Sequence, residues 1–186
     1  MADDAVAIRA VLERYQELYR ARDVTRLDEA MALFVSEGEP EMVGTEAAQR
    51  SDPDWAVGRD AVRVLTEWDW RSWFEVEFEV LAARITVQED AAWVTMGGAL
   101  LQSGRSREGS RRLVRETSLG QLAALLGDEE RPLDERLDDV AHLAALRARE
   151  LRAPLGHRHA LTFTAVLVRR QGAWRFHTTH WAMAAE

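Results

Sequence analysis

The chain has 186 residues, 47% of them apolar and 30% charged, which suits one folded domain with a sizeable core and excludes a disordered or fibrous polymer. Its formal net charge of -8 opposes general attachment to nucleic acid or to an anionic membrane, and neither is expected as a partner. There is no cysteine and all 24 basic residues are arginine, so disulfides, thiolate nucleophiles, sulfur-bound zinc, a Schiff-base lysine and a lysine-bearing phosphate loop are excluded.

The opening Met1-Ala2-Asp3-Asp4 lacks the basic start and apolar stretch of a signal peptide, and no later run is long enough to cross a bilayer, so a cytoplasmic location is expected. Asp3 or Asp4 is expected to cap a first helix, with Ile8, Val11, Leu12, Tyr15, Leu18 and Tyr19 on one buried face. Asp23 caps a short second helix through Leu27, Ala30, Met31 and Phe34, which Gly38 and Pro40 end. A short strand at Met42 to Thr45 follows. After Gly58, Ala61, Val62, Leu65 and Trp68 predict a third amphipathic helix.

From Phe74 to Val80 apolar residues alternate with Glu75, Glu77 and Glu79, the pattern of a strand wet on one side. The apolar positions then shift to Leu81, Ala83, Ile85 and Val87, a change of parity that predicts a β-bulge. Trp93 to Leu101, Ala160 to Val168 and Trp174 to Met183 complete an antiparallel meander of four long strands, the last two joined at Gln171-Gly172. A helical excursion at about 104–156 interrupts it. There Leu119, Leu122, Leu125 and Leu126 suggest one helix, and Leu133, Leu137, Val140, Ala144 and Leu151 a longer one after Pro132, whose apolar face needs a partner. Arg105, Arg107, Arg111, Arg112 and Arg115 form a basic stretch there, which the acidic run from Asp128 to Asp139 can neutralise. The predicted class is α+β, a single domain over 1–186 with the helical insertion.

Arg14-Tyr15, Asp23, Ala32-Leu33-Phe34, Val43-Gly44-Thr45, Gly58-Arg59-Asp60-Ala61, Glu89-Asp90-Ala91-Ala92 and Gly172-Ala173-Trp174 with His180 occur in an order that resembles the nuclear transport factor 2-like superfamily, in particular its SnoaL-like branch. The resemblance runs over about 5–103 and 158–183. It implies a cone-shaped, curved antiparallel sheet, a cystatin-like roll closed by three helices. It also implies a small, largely apolar organic ligand in the cone, a homodimer through the outer sheet face with Trp93, Trp174 and Phe176 on that face, and no cofactor. Isomerases, cyclases, dehydratases and association modules all occur in the superfamily, so acid–base catalysis and a non-catalytic association module stay open.

Strict alternation on the last strand puts Arg175, His177, Thr179 and Trp181 on one face and Trp174, Phe176, Thr178 and His180 on the other. The resemblance points Trp181 inward, and with it Thr179 and His177, the last as a candidate base; His180 then lies outside. It points Val94, Met96, Gly98, Leu100, Leu161, Phe163 and Ala165 inward as well. Gly97-Gly98 either admits a ligand to the backbone or marks a bulge. Tyr15 matches a tyrosine that donates to a developing oxyanion in steroid isomerases, and equally suits a buried helical face. Those isomerases carry a carboxylate where this chain has Gly44-Thr45, so the candidates for its place are Glu46 or Asp69 from nearby, or neutral His177 as the base. Trp55 and Trp70, from the group Trp55, Trp68, Trp70 and Trp73, are candidate ligand contacts. His157 and His159 share one side of an extended segment, but with no carboxylate at ligand spacing no metal site is predicted.

Overall fold

The computed structural model describes residues 2–45, 47, 49–50, 52, 54–71, 74–102, 119–120, 122–123, 126–127, 132–138, 140–141, 144 and 156–183. Helix α1 (Ala2–Ala21) buries Ile8, Leu12, Tyr15, Leu18 and Tyr19, spaced so that one stripe faces the sheet. Each such side chain contributes roughly 1.5–3 kcal/mol by leaving water. Asp3 and Asp4 lie inside the first turn, not before it as expected for a cap. Asp4 instead accepts from Arg169 at 2.6 Å and from the Trp174 indole at 3.3 Å, which ties the helix start to the final hairpin.

Arg22 ends α1 in the left-handed region, its N–H donating to the Leu18 carbonyl. Asp23 accepts from the Thr25 N–H and hydroxyl and caps a 3-10 turn, Val24–Arg26, that leads into α2 (Leu27–Met31). Helix α3 (Arg59–Arg71) buries Val62, Leu65, Thr66 and Trp70. Trp68, expected on that face, is 37% exposed.

The sheet is curved, unclosed and mixed. Its strands are β1 (Glu41–Val43), β2 (Trp55–Val57), β3 (Phe74–Phe78), β4 (Arg84–Gln88), β5 (Ala91–Gln102), β6 (Arg158–Arg170) and β7 (Ala173–Met183). They run in the order β2-β1-β7-β6-β5-β3, with β4 also paired to β5; β1 is parallel to β7. Strand β2 was not expected, since the Asp52-Pro53-Asp54 stretch leading to Gly58 has the composition of a loop. The parity change after Val80 is real, but its device is a 3-10 turn, Val80–Ala82, and not a bulge: β3 and β4 are separate strands on one edge of β5. Arg9 holds that turn by donating to the Val80, Leu81 and Ala83 carbonyls.

The bulge lies in β7. Leu167 pairs with Phe176 and Val166 with Thr178, leaving His177 as the extra residue. On the other side of β7, Phe34 bridges to Phe176, whereas Glu41 pairs with Thr178, so the bulge falls where β7 changes partner.

Two compact units result, one of residues 1–101 and 158–186, the other of 102–157. In the second, described residues 119–120, 122–123, 126–127, 133–138, 140–141 and 144 are helical, and the Arg136 guanidinium donates to the Leu126 carbonyl. Leu125, Leu151 and the basic stretch lie outside the described residues, as do Glu46 and Trp73.

Candidate functional site

On the inward side of the sheet the core is aromatic. The Tyr15 ring lies 5.0 Å from Phe176 and 4.7 Å from Tyr19, Phe78 lies 4.9 Å from Phe163, and Trp181 lies 5.1 Å from Tyr19.

Polar groups gather at the side facing α3. Tyr19 Oη donates to Asp69 Oδ2 at 3.1 Å and lies 3.9 Å from Met42 Sδ. Asp69 lies two turns after Val62 on α3, half-buried as a residue, with its carboxyl towards Tyr19. Burial, and after it the nearby charge of Asp54, raise its carboxyl to about 8, although the Tyr19 hydrogen bond and the Arg22 guanidinium pull the other way. Burial also drives the Tyr15 and Tyr19 hydroxyls well above the usual phenol range. At neutral pH Asp69 is therefore a carboxylic acid and both phenols are neutral donors.

Tyr15 Oη, Thr179 Oγ1 and Trp181 Nε1 are buried within reach of one another without forming a well-aligned hydrogen bond, and Trp70 Nε1 is buried with no partner among the described residues. Two of these residues adjoin the Tyr15–Tyr19 pair, Trp70 at 6.0 Å from Tyr19 and Trp181 at 6.2 Å from Tyr15 between ring centres. Thr179 is near enough to Tyr15 to weigh on its hydroxyl. A buried donor left without a well-aligned acceptor costs about 1–3 kcal/mol, and an acceptor brought into this cluster would relieve that cost.

No protein-family model matches the chain, and no curated protein matches it in sequence. Solved structures do. A candidate dehydratase of the nuclear transport factor 2-like family from Streptomyces avermitilis is 13% identical, with all of each chain covered and a TM-score of 0.62. The chain has the nuclear transport factor 2-like fold. A candidate scytalone dehydratase from Novosphingobium aromaticivorans (15% identity, 100% of this chain and 89% of that one, TM-score 0.58) shares this cystatin-like arrangement. So does a candidate calcium/calmodulin-dependent kinase association domain from Thiobacillus denitrificans (16% identity, 95% and 94%, TM-score 0.55).

Within this fold Tyr15, Thr179, Trp181, Met96, Phe163 and Trp70 all lie in the buried interior, and Phe163 is part of the packed ring cluster. His177 does not join them. As the extra residue of the bulge it stands with Thr178 opposite Val166, half-buried outside the core, and its Nδ1 lies 3.0 Å from Thr178 Oγ1. The bulge also reverses the expected faces before it: Trp174 and Phe176 are buried in the core, not on the outer surface.

Gly98 offers no access to a ligand either. A Cβ there would stand 2.5 Å from the Glu77 carbonyl, so the missing side chain admits β3. Gly97 likewise makes room for the Glu79 carboxylate. Trp55 pairs with Val43 on the outer side of β2, and its indole donates to Glu41 Oε2 at 3.4 Å. His159 is buried on β6 opposite Leu100, and among the described residues no three histidine or acidic side chains gather as a metal site requires. None of the helices in the described residues is long and apolar enough to cross a membrane.

Proposed function

We propose that the larger unit holds a small, oxygen-bearing organic molecule beside Tyr15, Thr179, Trp181 and Trp70, and moves a proton on it through Tyr19 and Asp69. The observation that carries this reading is the buried cluster of hydroxyl and indole groups of Tyr15, Thr179, Trp181 and Trp70, none of them in a well-aligned hydrogen bond, set beside a carboxyl group raised to about 8. A hydroxyl or carbonyl oxygen accepts from such donors, while the surrounding rings take its apolar body. Dehydration and isomerisation both need a neutral donor at oxygen and a group that exchanges a proton near pH 7. The dehydratase names of two structural neighbours agree with that class of step.

Pairing into a homodimer through the outer sheet face belongs to the same proposal, with Trp93, 46% exposed on β5, at its centre. Native mass spectrometry reads the oligomer directly. The ligand is tested by titrating a panel of small cyclic ketones, hydroxyketones and phenols while following tryptophan emission, because Trp70 and Trp181 report from the site. At least one compound is expected to quench the emission, with binding about tenfold weaker in Tyr15→Phe, a loss of about 1.4 kcal/mol. A panel that leaves the emission unchanged, or equal affinity in Tyr15→Phe and Trp181→Phe, would overturn the reading.

A further inference from the structure

Beyond Val43, which pairs with Trp55, the Gly44 N–H donates to the Asp54 carbonyl at 2.7 Å, so Asp54 lies opposite Gly44 across the β1–β2 hairpin. Residues directly opposite in an antiparallel pair turn their side chains to the same face. One step back in this alternation, Met42 and Ala56 are opposite each other and both buried in the core. Asp54 therefore shares the inward face. The position of its carboxylate agrees: a Cβ built on Gly44 would overlap both carboxylate oxygens of Asp54. In effect the glycine has no side chain and Asp54 occupies the space, delivering a carboxylate from the neighbouring strand.

Asp69 approaches the same face of β1 from α3, through the Tyr19 hydroxyl that touches both it and Met42. Met42 and Gly44 are two residues apart, about 7 Å along a strand. We infer that Asp54 and Asp69 form an acid–base pair holding one proton between them, Asp54 as the carboxylate and Asp69 as the acid, with Gly44 kept free of a side chain to seat Asp54. Such a pair can take a proton from a ligand through Asp54 or give one through Asp69, and its total charge stays that of one carboxylate at rest. Its role toward a ligand rests on the proposed function; its existence does not.

Among the described residues, the groups that act on Asp69 include Tyr15 and Tyr19 from α1, Arg22 at the end of α1, and Asp54. Asp54 is the one among them whose charge holds the Asp69 proton in place. The test follows the Asp69 carboxyl carbon by NMR in aspartate-labelled, ligand-free protein, its signal assigned by its loss in Asp69→Asn. In Asp54→Asn the Asp69 midpoint is expected to fall by about one pH unit or more.

In Gly44→Ala the carboxylate is still present but displaced, and the same fall is expected; since the methyl meets only the end of a side chain, the fold is retained. Asp52→Asn, which removes a neighbouring loop carboxylate, is expected to leave the midpoint in place. An unchanged midpoint in Gly44→Ala and Asp54→Asn overturns the pair. Ligand titration fails or succeeds separately, so a fallen midpoint without binding by any compound would leave the pair standing and remove the functional reading.

Discussion

Asp69 makes the stability of the protein depend on pH in a direction opposite to that of most carboxylates. Its folded midpoint, about 8, lies above the ordinary 3.8, so the folded state binds its proton more tightly than the unfolded chain does. The stabilisation is complete below about pH 4 and is lost as the pH rises through 8, at up to about 1.4 kcal/mol per pH unit in between. Chemical denaturation of the wild type is therefore expected to weaken between pH 5 and 8.5, whereas Asp69→Asn shows a smaller dependence; parallel pH profiles for the two would contradict the assignment. Asp69 was legible as a candidate only through the resemblance, as a nearby substitute for the carboxylate that the steroid isomerases carry where this chain has Gly44-Thr45. Asp54 was not, since its importance comes from a cross-strand partner and a glycine ten residues earlier. His177 was misread for the converse reason: alternation was carried across a position where the strand has one residue too many.

That extra residue gives the elements their own test. Removing His177 leaves Phe176 paired to Leu167 and Thr178 to Val166, so the ladder becomes regular and every inward side chain keeps its face. The deletion is expected to cost about 1–2 kcal/mol in chemical denaturation and to preserve the near-ultraviolet circular dichroism of the aromatic core. Deleting Thr164 from β6, whose ladder to β5 is unbroken, instead turns either Phe163 and Leu161 or Ala165 and Leu167 outward, and no cooperative transition is expected. Equal tolerance of both deletions would show that the bulge does not set the faces of β7. Long periodic elements such as α1, α3 and β6 could be read from the chain because their patterns repeat over several turns or pairs. The short strand β1 and the change of parity after Val80 could be read too, but not the 3-10 turn that makes that change, the bulge in β7 or the strand β2, since each rests on one to three residues.

At the scale of the molecule, the order of helices and strands was legible, and so was the interruption of the meander. Among the described residues the hydrophobic core cluster consists entirely of side chains from 1–101 and 158–186. The ladder joining β5 to β6 runs to the pair Leu101–Arg158, so at that end the two strands are neighbours and a two-residue turn can close them. Replacing 103–156 by Asn-Gly halves the closed loop several times over, and each halving returns about 0.6 kcal/mol of closure entropy. If the core is self-sufficient, the shortened chain unfolds cooperatively at a temperature no lower than the full chain, and its Asp69 carboxyl keeps the same NMR midpoint. Should it aggregate or lose its cooperative transition, residues 103–156 must supply part of that core. A retained transition with a shifted Asp69 midpoint would instead place their influence at the acid–base pair, because the charges around that carboxyl in the larger unit are unaltered by the replacement.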